Sequence, residues 1–326
     1  MKAFKIAIIS LIVTGCGPMS QNISPVKDLV ITPFEEEGLS ASVMVSSVLI
    51  FEREFSSFGL ISNLDHSKRS KFQAKSPYSS LLNSVKFSGK EYLAHGILGG
   101  LNLYEVSPDL KVTLKKTITD GFGKLDLPSI AISFQDNLIA TANLRVISFY
   151  DRSGNVLRQV RSKPAYVSDG MITPEGNLLV LCKAANDVDS EFRLISLKSG
   201  EIMDVIPVGR LDKMFQLDEQ VFGVTKSVSL AADTRYYKEF NNKLQKVNPS
   251  IENAGYLRNV ARSPKGKTLF CWSRGLSEWS CLSKNGKTTD LKKFSDVSYK
   301  EIAWINENEL IFSTNRSAFH AKFALK

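Results

Sequence analysis

The feature that most constrains this chain is a turn that recurs along it. Ile172-Thr173-Pro174-Glu175-Gly176-Asn177-Leu178-Leu179-Val180-Leu181 and Arg262-Ser263-Pro264-Lys265-Gly266-Lys267-Thr268-Leu269-Phe270 each read as the end of one strand, a Pro-x-Gly turn and the start of the next. Proline presets φ at about −65° for the first turn position, and glycine accepts the positive φ that closes the turn. Weaker copies stand at Phe87-Ser88-Gly89-Lys90, Phe134-Gln135-Asp136-Asn137, Leu217-Asp218-Glu219-Gln220 and Ile305-Asn306-Glu307-Asn308, with Val45-Ser46-Ser47 the faintest. They repeat at about 40 to 46 residues, a spacing to be explained before any local structure.

A second turn follows six of the seven copies by about 20 to 25 residues: His66-Ser67-Lys68, Pro108-Asp109-Leu110, Arg152-Ser153-Gly154-Asn155, Lys198-Ser199-Gly200-Glu201, Asn241-Asn242-Lys243 and Lys284-Asn285-Gly286-Lys287. Two hairpins per period make four strands. The segments Leu138 to Ala142, Val146 to Tyr150, Leu178 to Cys182, Phe192 to Leu197 and Leu310 to Ser313 are rich in β-branched and aromatic residues, and several alternate. No long window carries helical periodicity. The expected fold is therefore all-β, a seven-bladed β-propeller of four-stranded antiparallel blades.

The units Ser263-Pro264-Lys265-Gly266-Lys267-Thr268-Leu269 and Thr173-Pro174-Glu175-Gly176-Asn177-Leu178-Leu179 resemble the Ser-Pro-Asp-Gly-Lys-x-Leu signature of Tol-type bacterial propeller repeats. The match is close in two repeats and degenerate in five. The Gly-His and Trp-Asp pairs of WD repeats are missing, as is the repeated tryptophan motif of quinoprotein propellers. The resemblance implies an architecture and no activity.

The last repeat supplies three strands, Glu301 to Ile305, Leu310 to Ser313 and Ala318 to Ala324. Its fourth is expected from the N-terminal side, at Asp28 to Thr32, which would close the ring and cover an edge that otherwise invites pairing with other chains.

The N-terminus reads as an export signal. A basic start with Lys2 and Lys5 precedes an apolar run from Ile6 to Val13 and the small pair Thr14-Gly15. As a helix that run would be about 12 Å long against a hydrocarbon core of about 30 Å, too short to span. Val13-Thr14-Gly15-Cys16 resembles the lipobox of bacterial lipoproteins. The resemblance implies cleavage before Cys16, lipidation of that residue, and attachment by three acyl chains where one alone holds only marginally. Gly17 stands where aspartate resembles an inner-membrane retention signal, so the expected address is the outer membrane. The domains are then 1–15 as signal peptide, 16–27 as lipidated cysteine and tether, and 28–326 as propeller. The tether would reach about 20 Å as a flexible chain.

Without Lys2 and Lys5 the chain keeps forty basic residues against thirty-three acidic, a net charge of +7. The excess is scattered, with clusters at Lys68-Arg69-Ser70-Lys71 and Lys111 to Lys116, and reads as solvated surface or as attraction to anionic headgroups or polymer. A nucleic-acid partner is not expected outside the cytoplasm.

Few residues look chemical. Cys271 and Cys281 lie symmetrically about Leu276 on the second and third strands of the sixth repeat, so they face each other across a hairpin. An oxidising compartment would let them form a disulfide; the other reading is two separately buried thiols. Cys182 reads as a core residue, having no histidine near it in sequence. His66 falls in an outer turn, and His95 and His320 on middle strands, away from the innermost strands where metal ligands would gather. Asp187, Asp189 and Glu191 form an acidic run in the loop after Cys182, without the glycine of a calcium loop. The glycines from Gly96 to Gly100 and in Asp120-Gly121-Phe122-Gly123 open no helix and read as loops between strands or blades. Trp272, Trp279 and Tyr236-Tyr237 are either partner anchors or packing.

No cofactor, metal or catalytic constellation emerges. The expected function is a non-catalytic envelope scaffold, held to the membrane through Cys16 and binding a protein or polymer partner through one face of the propeller. The alternative is a propeller hydrolase, lyase or cofactor-dependent oxidoreductase with dispersed catalytic groups.

Overall fold

A computed structural model describes residues 30–33, 39–45, 48–53, 58–63, 68–73, 79–142, 146–161, 166–183, 190–209, 213–225, 234–249, 257–263, 268–273, 279–284, 287–291, 299–314 and 318–322. Among these the strands form seven four-stranded antiparallel sheets, six of them taken in chain order. Sheet 1 comprises Leu39–Val45, Val48–Arg53, Phe58–Asn63 and Arg69–Gln73. Sheet 2 comprises Ser79–Phe87, Lys90–Ile97, Gly100–Val106 and Val112–Ile118. Sheet 3 comprises Ala131–Phe134, Asn137–Ala142, Val146–Tyr150 and Val156–Arg161. Sheet 4 comprises Tyr166–Ile172, Leu178–Lys183, Ser190–Ile195 and Ile202–Gly209. Sheet 5 comprises Lys213–Gln216, Val221–Thr225, Arg235–Phe240 and Lys243–Val247. Sheet 6 comprises Leu257–Arg262, Thr268–Ser273, Trp279–Lys284 and Lys287–Leu291.

Sheet 7 is the exception to chain order. Tyr299–Asn306, Glu309–Thr314 and Ala318–Lys322 are joined by Val30–Pro33, whose residue Ile31 pairs with Ala321. The first strands of successive sheets touch from sheet 1 to sheet 7, and the first strand of sheet 7 touches that of sheet 1.

Side-chain alternation explains how the sheets stack. In the second strand of sheet 3, Leu138 and Ala140 pack with Leu101 and Leu103 of sheet 2, while Ile139 packs with Leu178 and Val180 of sheet 4. In sheet 4, Leu178, Val180 and Cys182 face sheet 3, and Leu179 and Leu181 face sheet 5. A strand covered on both faces has no polar side to keep, hence the unbroken run Leu178-Leu179-Val180-Leu181-Cys182. The backbone at the start of sheet 3 is held by one hydroxyl: Thr141 Oγ1 accepts from the amides of Ser129 and Ile130 at 3.0 and 3.3 Å.

The fourth strands carry a device repeated in three sheets. A β-bulge falls beside Leu103/Tyr104, Phe149/Tyr150 and Leu194/Ile195, and the side chains next to it reach the following sheet. The Lys116 ammonium donates to the Ser153 carbonyl, and Arg158 donates to the Leu197 carbonyl and, at 2.8 Å, to that of Lys198. Asp204 Oδ2 accepts from the Leu244 amide at 2.8 Å. Gly154 and Gly200, at φ of +80° and +79°, close the turns that receive Lys116 and Arg158. Gly154 is required by its φ, and a Cβ there would lie 2.7 Å from Lys116 Cε and displace the ammonium that bonds Ser153.

Some boundaries differ from the sequence reading. The strand expected over Phe192 to Leu197 runs Ser190–Ile195, because Ser196 already bonds Gly200 and Glu201 to close the next turn. Glu191 accordingly lies in that strand and not in the preceding loop, and accepts from Arg193 Nε at 2.6 Å. Gly96 is buried inside a strand and Gly100 opens one, leaving only Leu98 and Gly99 as the turn. The cluster Lys111 to Lys116 is not uniformly solvated, since Lys115 pairs with Glu105 at 2.6 Å and Lys116 clasps Ser153.

Candidate functional site

In each four-stranded sheet the first and third turns emerge at the same end. Neighbouring sheets bring these turns together: Ser88 N donates to the Asp136 carbonyl at 3.4 Å, and Ser263 Oγ donates to Glu307 Oε2 at 2.7 Å. The Pro-x-Gly unit of sheet 4 is one of these turns. Gly176 N donates to the Thr173 carbonyl at 2.9 Å, Asn177 N to Thr173 Oγ1 at 3.1 Å, and Gly176 takes φ of +79°. This turn stands between two clefts.

Towards sheet 3 lies an apolar cleft of about 320 Å³, lined by Phe134, Phe149, Tyr150, Leu157 and Leu197 with Lys198 at its rim. Leu157 is 60% exposed there, and the Arg158 guanidinium carbon sits 4.5 Å from the centre of the Phe149 ring. Gly176 borders this cleft, a Cβ on it falling 3.7 Å from Phe134 Cζ.

Towards sheet 5 lies a polar cleft of about 180 Å³, lined by Pro174, Glu175, Gln220, Lys238, Glu239 and Phe240. Phe240 is 52% exposed, and the Lys238 ammonium lies 5.8 Å from the centre of its ring. Glu239 is only 8% exposed. Its Oε1 accepts from Asn177 Nδ2 at 2.7 Å, whereas Oε2 has no hydrogen-bond partner among the described residues. Burial pushes the Glu239 carboxyl above the ordinary glutamate range; Thr173 and Asn177 pull it back, and the neighbouring Glu175 carboxylate raises it further. The Glu239 carboxyl thus sits among Thr173, Asn177 and Glu175, with Oε2 closed off from solvent.

The residues singled out in the sequence fall elsewhere. Cys16, His66, Asp187 and Asp189 lie outside the described residues. Cys271 and Cys281 are direct register partners across the second and third strands of sheet 6, their side chains lying outside the described residues. The same holds for the side chains of Trp272 and Trp279. Cys182 is a buried free thiol pushed up to about 12 by burial, which makes it core and not nucleophile. Tyr236 and Tyr237 are buried, Tyr237 packing edge-on against Phe192 at 5.3 Å between ring centres.

His95 and His320 are separate buried groups. His95 packs edge-on to Phe72 and Tyr104, both at 6.0 Å, and burial lowers it to about 4. His320 Nε2 lies 3.2 Å from Glu309 Oε2, and burial lowers its pKa against the upward pull of that carboxylate. Among the described residues no group of three or more His, Cys, Asp or Glu is placed to hold a metal ion, and no helix is long and apolar enough to cross a membrane. Sequence reasoning missed Glu239 because its partner Asn177 is 62 residues away. The Thr173 to Asn177 turn was itself visible as a turn, with nothing to mark Pro174 and Glu175 as the wall of a cleft.

No protein-family model matches the chain, and no curated protein matches it in sequence. Solved structures do. A chain of a mitotic checkpoint complex superposes with a TM-score of 0.65 at 11% identity, over 99% of this chain and 99% of that one. The β-propeller domain of Myceliophteria thermophila Cps50 (Swd1) does so with a TM-score of 0.62 at 11% identity, over 89% and 98% of the two chains. The WD40 domain of Toxoplasma gondii coronin gives a TM-score of 0.58 at 9% identity, over 93% and 88%. Likeness at such identities speaks for the fold alone, and that fold is an all-β, WD40-like propeller of four-stranded antiparallel sheets.

Proposed function

We propose that this chain is a lipid-anchored envelope scaffold that binds a protein partner through the end of the propeller carrying the Thr173 to Asn177 turn. The observation that carries the reading is the pair of clefts flanking that turn, with Leu157 and Phe240 held half-exposed at their mouths. An apolar recess beside a polar one, each with an accessible large side chain, is the composition of a protein-binding surface.

The propeller is read as seven blades in one closed ring. Support comes from the pairing of Val30–Pro33 with Ala318–Lys322 and from the contact between the first strands of sheets 1 and 7. The anchor rests on the lipobox resemblance at Val13 to Cys16, which would put the domain at the outer membrane on a short tether. A disulfide between Cys271 and Cys281 is proposed on their direct pairing across the hairpin.

Site-specific photocrosslinking in the intact cell tests the binding surface. A photoreactive phenylalanine analogue at position 157 or 240 should yield one reproducible partner adduct. The same analogue at position 125 should not, because Leu125, 84% exposed, lies on the connection joined to the opposite end through Gly99 N and the Asp126 carbonyl. Equal adducts from all three positions, or none from 157 and 240, would overturn the assignment.

A further inference from the structure

We propose that the cleft between sheets 3 and 4 receives an extended segment of the partner in which large apolar side chains are flanked by carboxylates; the inference rests on the scaffold reading above. Leu157 is the extra residue of the sheet 3 bulge, skipped where Phe149 pairs with Arg158 and Tyr150 with Val156. The same place is held by Lys115 in sheet 2 and, at the Leu194/Ile195 bulge, by Met203 in sheet 4. Lys115 pairs with Glu105, and Met203 packs against the core shared by sheets 4 and 5. Leu157 is 60% exposed, so of three equivalent side chains it is the one left both apolar and uncovered.

The apolar wall continues along the outer strand of sheet 4. Ile202 and Val205 pair through Ile195 and Arg193 with Leu178 and Val180, which face sheet 3, and register partners share a face. They are 40% and 45% exposed, so apolar surface extends from the cleft along the side of that strand turned to sheet 3. The charge at the cleft has one sign: its lining holds Arg158 and Lys198 and no carboxylate. Arg158 spends both terminal nitrogens on the Leu197 and Lys198 carbonyls and stacks over Phe149, which holds a positive charge in the wall. Lys198 is exposed at the rim, where its flexible stem lets the ammonium turn to an incoming carboxylate. A second copy of this chain would bring like charge, since the formal net charge is +9. The complementary occupant is an apolar segment bordered by glutamate or aspartate on a different protein.

The probe is a fluorescently labelled peptide, Glu-Leu-Ser-Leu-Glu, titrated by anisotropy with the full chain in nanodiscs of phosphatidylcholine, empty nanodiscs serving as the blank. It should bind saturably with a midpoint of about 0.1–1 mM. Replacing both leucines by alanine should weaken binding at least about tenfold. Replacing both glutamates by glutamine should weaken it about threefold at low salt, a difference that shrinks as salt is raised. Leu157→Ala should weaken the glutamate peptide about threefold. Lys198→Glu, on an exposed turn, should reverse the preference, so that the glutamine peptide binds more tightly than the glutamate one. No saturation, equal binding of the alanine peptide, an unchanged preference in Lys198→Glu, or displacement of the peptide by phosphatidylglycerol vesicles would each overturn the proposal. Photocrosslinking in the intact cell separates the two ideas. If the peptide does not bind while the partner adduct from position 240 persists, only this inference fails; absence of adducts from positions 157 and 240 in the unsubstituted chain defeats the scaffold reading itself.

Discussion

Acidification should destabilise this protein through His95, and the size of the effect follows from where the ring sits. His95 is 2% exposed between Phe72 and Tyr104, and its Nδ1 has no hydrogen-bond partner among the described residues. Burial holds its pKa at about 4 against about 6.5 in an unfolded chain. Between those values the unfolded state takes up a proton that the folded state refuses. The stability contributed by the neutral imidazole is thus complete above pH 6.5 and is lost as pH falls towards 4. At pH 5 the unfolded ring is charged and the folded one still neutral, about one and a half pH units of linkage, or about 2 kcal/mol.

His95→Phe removes this term while keeping a ring against Phe72 and Tyr104. Urea unfolding of the Cys16→Ala form and of the same form with His95→Phe, at pH 7.5, 6 and 5, isolates it as a double difference. Glu239, whose raised pKa stabilises in the opposite sense as pH falls, is present in both proteins and cancels. The unsubstituted ring should lose about 2 kcal/mol more than the variant between pH 7.5 and 5. Parallel pH profiles, within about 0.5 kcal/mol, would show that the site is hydrated or the shift absent, and would refute the reasoning.

Two further outcomes concern how the sheets are tied. Arg158→Ala removes the bonds to the Leu197 and Lys198 carbonyls and the packing over Phe149, and should cost about 1–3 kcal/mol in urea unfolding. Arg158→Lys should recover only part of that; no loss in either variant would mean the bulge contact is incidental. In the Cys16→Ala form, denatured protein should show one reactive thiol before reduction and three after, with reduction costing about 2–3 kcal/mol for a loop this short. Three thiols without reductant would exclude the Cys271–Cys281 bond.

What the sequence disclosed was set by short-range physics. The turn at Thr173 to Asn177 was readable because proline and glycine punctuate the backbone locally. The opposition of Cys271 and Cys281 was readable because a hairpin's register follows from its loop, and the backbone pairs them directly. The strand from Val146 to Tyr150 was found at its observed limits.

Features that depend on a partner distant in sequence, within a sheet or in the next one, left no local mark. Glu191 reads as loop beside Asp189, yet its pairing across to Pro207 draws it into a strand. Gly96 reads as a loop glycine, but its backbone is packed so closely that a Cβ would stand 3.2 Å from the Pro128 carbonyl oxygen. Lys116 and Arg158 look like surface charge until the bulges aim them at the next sheet. Glu239 looks like one more acidic residue until Asn177, from another sheet, takes one of its oxygens.

The proposed closed ring depends on the joint made by Val30–Pro33, which would gather the turns into one surface and set the proposed tether beside sheet 7. Ile31 pairs with Ala321 and Thr32 with His320. Adjacent pairs in an antiparallel ladder alternate in type, so one of the two lies at the closer spacing of about 4.5 Å between Cα atoms. Introducing cysteine at both members of each pair in turn, oxidising the native protein and mapping peptides by mass spectrometry reads the pairing directly. The account predicts a 31–321 or 32–320 crosslink as efficient as that between cysteines at the within-sheet partners Lys238 and Gln245. A control crosslink in sheet 5 with none at either N-terminal pair would contradict it.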